Sequence, residues 1–108
     1  SAGRGFAVSG GVAKAVTDLV HEQYPDMEIQ TARAEGLREC RKLMMLAKAG
    51  KFKGCLLEGM ACPGGCVAGA GTILPVDKAA KLVEKYSREA AAASPVESAY
   101  SGRGESLE

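Results

Sequence analysis

Two cysteines, Cys62 and Cys66, stand four residues apart in the stretch MACPGGC, residues 60 to 66. Their company suggests ligand chemistry rather than core filling. Gly64 and Gly65 allow positive φ and a close approach of backbone to a bulky group. Pro63 presets its own φ and brings no N–H, which suits a helix start or a tight turn. Residues four apart on a helical turn have β-carbons about 5–6 Å apart, so a helical 62–66 would face both thiolates toward one multinuclear inorganic group. A helix N-terminus there would also offset the negative charge of thiolate ligands.

Other chemistries fit less well. A structural zinc site needs a second Cys or His pair, and His21 is the sole histidine, placed mid-helix. Cys40 and Cys55 lie in apolar periodic stretches and read as core residues. No C-x-x-C redox pair is present. GGCVAGAGT lacks the lysine of a phosphate loop and cannot be read as a dinucleotide fingerprint. A 4Fe–4S cluster takes four cysteines, and this chain offers two, so the remaining ligands are expected elsewhere.

The elements that must position this loop can be read around it. FAVSGGVAKAVTDLVHEQYPD suggests a strand over Phe6 to Val8, a Ser9-Gly10-Gly11 turn, and a helix with Val12, Val16, Leu19 and Val20 on one face, ended by Pro25 and Asp26. Alternation at Met27, Ile29 and Thr31 suggests a second strand. GLRECRKLMMLAKAGK predicts an amphipathic helix with Leu37, Cys40, Met44 and Ala47 inward and Gly50 as its stop. GCLLEGM is a third strand leading into the cysteine loop. VDKAAKLVEKYSREAAAA predicts a last helix with Asp77 as N-cap and Ala79, Leu82, Val83, Tyr86 and Ala90 on one side.

The expected fold is therefore α/β: three layers, a short, mostly parallel sheet with flanking helices in βαβαβα order, and a disordered C-terminal tail. Ligands of such sheets sit where strands turn into helices, which points to Ser9-Gly10-Gly11 and Pro63-Gly64-Gly65. The lobe is expected over residues 1–93 and a flexible tail over 94–108. The Ser1 start and the Leu107-Glu108 end suggest an excised piece with a vector-derived terminus.

With 108 residues, 46% apolar and 25% charged, the chain has one domain's worth of a globular composition. A net charge of +1, with the signs interleaved, calls for neither nucleic acid nor membrane as partner. No apolar run reaches the roughly 20 residues of a membrane span. The four cysteines are distributed as in a reduced, cytoplasmic protein, without a disulfide framework.

EGMACPGGCVAGAG closely resembles the third cysteine motif of the iron-only (FeFe) hydrogenase large subunit. GFAVSGGVAKAV is similar to that family's Phe-x-x-Ser/Thr-Gly-Gly-Val segment, and EGLRECRKLM to its Gly-Leu-x-x-x-Arg-Lys-Leu helix. The resemblance runs in order from residue 5 to about residue 90. It implies a parent that interconverts dihydrogen with protons and electrons, with a ferredoxin-like electron partner. Its cofactor would be the H-cluster, a 4Fe–4S cluster joined to a two-iron subcluster. By the resemblance, Cys62 is a plain cluster ligand and Cys66 a ligand that also bridges to the two-iron part. Met60 and Phe6 pack against that centre, while Ser9, Gly10, Gly11 and Val12 line the pocket. Glu58 and the Gly64-Gly65 backbone support the loop.

The family's two other cysteine motifs are absent here. The resemblance thus implies a C-terminal lobe that completes its site with the rest of a hydrogenase chain, is inactive alone and binds no cluster by itself. Lys14 stands where a glutamate is common, and Thr72-Ile73 where Gln-Pro is frequent, as in a divergent, sensory member. A non-catalytic iron–sulfur sensor or scaffold is the alternative, and a structural zinc domain a weaker one. Without a cluster, the 60–72 segment is expected to be mobile.

Overall fold

The computed structural model describes residues 1–99 and 101–102. Its centre is a pair of parallel strands, β1 (Gln30–Glu35) and β2 (Cys55–Met60). Their register sets Arg33 beside Glu58, Ala34 beside Gly59 and Glu35 beside Met60. Three helices accompany them: α1 (Gly11–Gln23), α2 (Leu37–Lys48) and α3 (Val76–Arg88).

Alternation along the strands distributes the helices. Side chains of neighbouring strand residues point to opposite faces, and Glu58 takes two N–H groups from the first turn of α1. On the other face, the Cys40 sulfur of α2 lies 3.2 Å from where a β-carbon on Gly59 would sit. The Cys40 thiol also reaches the carbonyls of Ala34 and Met60 at 3.7 and 3.6 Å. The sheet is thus sandwiched between α1 and α2, the expected three layers. Helix α3 packs outside this sandwich, against the 3₁₀ turns Gly3–Gly5 and Cys66–Ala68. Arg4 joins α3 to the N-terminal turn, donating to the Tyr86 carbonyl at 2.9 Å with its guanidinium over the Tyr86 ring.

Local chemistry explains the helix ends. Tyr24 precedes Pro25 and leaves helical geometry at φ −134°, as the residue before proline tends to do. Helix α2 ends in a Schellman motif: Lys51 donates to the Leu46 carbonyl and Gly50 to that of Ala47, with Gly50 at φ 88°. The predicted stop at Gly50 is therefore present.

Three expectations require correction. Phe6–Val8 is not a strand. Successive turns close over 2–11, with Gly5 N–H on the Ala2 carbonyl, Phe6 on Gly3, Val8 on Gly5 and Gly11 on Val8. These bonds consume the backbone groups that strand pairing would need. Second, the strand anticipated from Met27 begins only at Gln30. Third, α3 has Pro75 rather than Asp77 at its N-cap, and Asp77 falls in the first turn.

The packed helix faces are also rotated from those predicted. In α2, Cys40, Leu43 and Ala47 are half-buried while Leu37 and Met44 are 75% and 71% exposed. In α3, Ala79, Ala80 and Val83 pack while Leu82 and Tyr86 are exposed. The buried apolar residues are small: Ala13, Ala15, Ala34 and Val67.

Within the expected tail, residues 94–99 and 101–102 form turns and one 3₁₀ helix, Pro95–Glu97, whose Val96 N–H donates to Ser94 Oγ. Tyr100 and residues 103–108, including the Leu107-Glu108 end, lie outside the described residues. No helix among the described residues is long and apolar enough to cross a membrane.

Candidate functional site

The two glycine-rich joins meet. Ser9 N–H donates to the Gly64 carbonyl at 3.1 Å, and Val67 N–H to the Ala7 carbonyl at 3.1 Å. Gly65, at φ 94°, makes this contact possible, because a β-carbon there would lie 2.6 Å from Ser9 N and 2.7 Å from Ala7 O. Both neighbours are backbone atoms and neither can rotate away. Gly11 has the same role at the other loop: a β-carbon would meet the Gly5 carbonyl oxygen at 1.9 Å.

The cysteine loop itself is a turn, not the helical turn anticipated from its spacing. Gly65 N–H donates to the Cys62 carbonyl at 2.9 Å. Positive φ at both Gly64 and Gly65 then reverses the chain, which an α-helix cannot contain. Cys66 opens the short 3₁₀ turn Cys66–Ala68. Cys66 is exposed and Cys62 half-buried, its sulfur 3.4 Å from where a β-carbon on Gly69 would sit. Met60 ends β2 half-buried, and Phe6 is 46% exposed beside the start of α1. Gly10 is the left-handed N-cap of α1, and Val12 is half-buried in its first turn.

Two carboxylates brace these loops. Glu58, buried on β2, accepts Gly10 N–H at 2.8 Å and Ala13 N–H at 3.1 Å, capping α1. Its support therefore goes to the Ser9-Gly10-Gly11 turn rather than directly to the cysteine loop. The cysteine loop is braced instead by Glu35, to which no motif in the sequence points. Its Oε2 accepts Gly64 N–H at 3.3 Å from the last position of β1. The nearby Ser9 hydroxyl, the Gly64 N–H and Arg33 hold the Glu35 carboxyl below its ordinary value, against desolvation. The one hint in the sequence is an acid at a strand's carboxyl end, directly before a glycine and a helix. These bonds tie the 62–67 backbone to the Ala7–Ser9 segment and to the end of β1.

The donor chemistry fits half of an iron–sulfur site. One loop presents two thiols, Cys62 half-buried and Cys66 exposed. Cys40 is committed to the α2 face, and Cys55 lies at the opposite end of β2. Among the described residues, no three His, Cys, Asp or Glu side chains gather as a metal-binding group.

The family model for the C-terminal domain of the iron-only hydrogenase large subunit matches residues 1–70. That span holds both glycine-rich joins, both strands and the whole cysteine loop, and the chain belongs to this family. Helix α3 lies beyond the matched span. No curated protein and no solved structure matches the chain.

Proposed function

We propose that this chain is the C-terminal lobe of an iron-only hydrogenase and supplies two of the thiolates that hold its H-cluster. The supporting observation is the backbone stitching of Ala7–Ser9 to Gly64–Val67, which builds one continuous wall with an exposed thiol. When bound, the H-cluster supplies the interconversion of dihydrogen with protons and electrons.

This chain's residues act by binding and shaping. Cys62 and Cys66 would be the thiolate donors that hold the group. Met60 and Phe6 would give the group apolar contact and exclude water from it. Ser9, Gly10, Gly11 and Val12 would form part of the same wall, Gly11 lying closed against the Gly5 carbonyl and Gly10 against the Arg33 side chain. Glu58 keeps that wall in place by capping α1. The remaining ligands come from the rest of the hydrogenase chain, and a ferredoxin-like protein exchanges the electrons. Residues 1–93 form the lobe, the setting is cytoplasmic, and the lobe alone is inactive. A self-contained zinc site lacks a donor set among the described residues.

The test is hydrogen evolution by the anaerobically matured, complete protein and by its Cys66→Ser variant. The reading expects turnover in the first, background in the variant, and none from the 108-residue chain alone. A complete protein that carries its iron but turns over no hydrogen would leave a cluster-holding sensor or scaffold, and the enzymatic reading would fail.

A further inference from the structure

We propose that Glu35 is the positioning residue of the cysteine loop: from the carboxyl end of β1 it takes the Gly64 N–H between Cys62 and Cys66 and so fixes how both thiols are presented. What the loop holds rests on the reading above; the tether does not.

Three observations converge on this residue. Its acceptor oxygen reaches the loop between the two cysteines, at 3.3 Å from Gly64 N. The next residue, Gly36, has φ 86°, and a β-carbon there would meet the Pro63 ring at 3.8 Å, so the β1–α2 junction lies directly under the loop. Glu35 itself is anchored at both sides of its backbone, its N–H donating to Glu39 Oε2 at 3.1 Å and the following Gly36 N–H to the Met60 carbonyl at 2.8 Å. A tether with a fixed origin can position what it holds. The Ser9 hydroxyl, the Gly64 N–H and Arg33 favour its charged form, which suits an acceptor rather than a proton store.

The tether has a consequence for a bound cluster. Net charge and hydrogen bonding around the ligands set the potential of iron–sulfur centres. Glu35 adds a negative charge beside the loop and takes up the Gly64 N–H, a donor then unavailable to a bound group. Both effects disfavour an added electron and lower the potential.

Glu35→Ala removes tether and charge; Glu35→Gln keeps an acceptor oxygen and removes only the charge. In the metal-free chain, amide exchange at Gly64 should rise about tenfold in the alanine variant, the scale of one charge-assisted hydrogen bond. The Ala13 amide, held by Glu58, should keep its wild-type rate, and the glutamine variant should keep most of the Gly64 protection. Unchanged Gly64 exchange in Glu35→Ala, or an equal rise at Ala13, would overturn the proposal. In the anaerobic complete protein, Glu35→Gln should raise the cluster potential while iron content stays at the wild-type level; an unmoved or lowered potential would overturn the tuning role. If the exchange result holds but the wild type retains no iron, the hydrogenase reading fails and the tether stands.

Discussion

At the residue scale, the site depends on atoms that are absent as much as on those present. Gly65 has the Ala7–Ser9 backbone within 2.9 Å of its missing β-carbon. Gly65→Ala should therefore cost about 2–4 kcal/mol, combining the positive-φ penalty with overpacking against atoms that cannot move. Urea unfolding of the metal-free chain measures this, and a cost near zero would mean the loops are not stitched as described. Glu35 adds a pH dependence. Its folded pKa lies below the ordinary 4.5, so its contribution is fully present above the unfolded value and is lost as pH falls through the folded one. Acid titration of stability should thus be shallower below about pH 4.5 in Glu35→Gln than in the wild type. The cysteine loop and its glycines stand out in the sequence because the motif is contiguous, whereas Glu58, expected to support that loop, caps α1 instead. Glu35 does not stand out, because its role depends on β1 ending beneath a loop that starts 27 residues later in the chain, at Cys62.

At the element scale, helix α1 illustrates how a buried charge can be stabilising. Gly10 offers no capping side chain, so the orphan N–H groups of the first turn are satisfied by Glu58 from another element. Replacing Glu58 by alanine should destabilise the chain by about 2–4 kcal/mol, since it strands two buried donors as well as losing their bonds. Thermal unfolding read against Glu58→Gln, which keeps one acceptor, separates the two effects: the glutamine variant should lose less. The helices and both β1 and β2 were readable because periodicity and punctuation by Gly36, Gly50 and Pro25 are local signals. The strand expected at Phe6–Val8 failed for a nonlocal reason. Three apolar-leaning residues suggest a strand, yet the segment's hydrogen bonds are spent on turns and on the cysteine loop: Ala7 accepts from Val67, not from a neighbouring strand.

At the scale of the whole molecule, the apolar surface exceeds what the chain itself covers. Leu37, Met44 and Met45 on α2, and Ile73, Leu74, Leu82 and Tyr86 near or on α3, all stand exposed. Periodicity placed several of them inward, because amphipathic spacing reports which face avoids water and not which partner covers it. Under the proposed function, this surface would be covered by the remainder of a hydrogenase. The 108-residue chain alone should therefore bind a hydrophobic dye and self-associate with rising concentration in light scattering. A monodisperse, dye-free monomer would contradict that. The central claim is narrower: Cys62 and Cys66 are iron ligands. Its most direct test is iron analysis of the complete protein, prepared without oxygen, beside a variant carrying Cys62→Ser and Cys66→Ser. The account predicts that the iron of one H-cluster is lost with the two sulfurs; retention of the full wild-type iron content would contradict it.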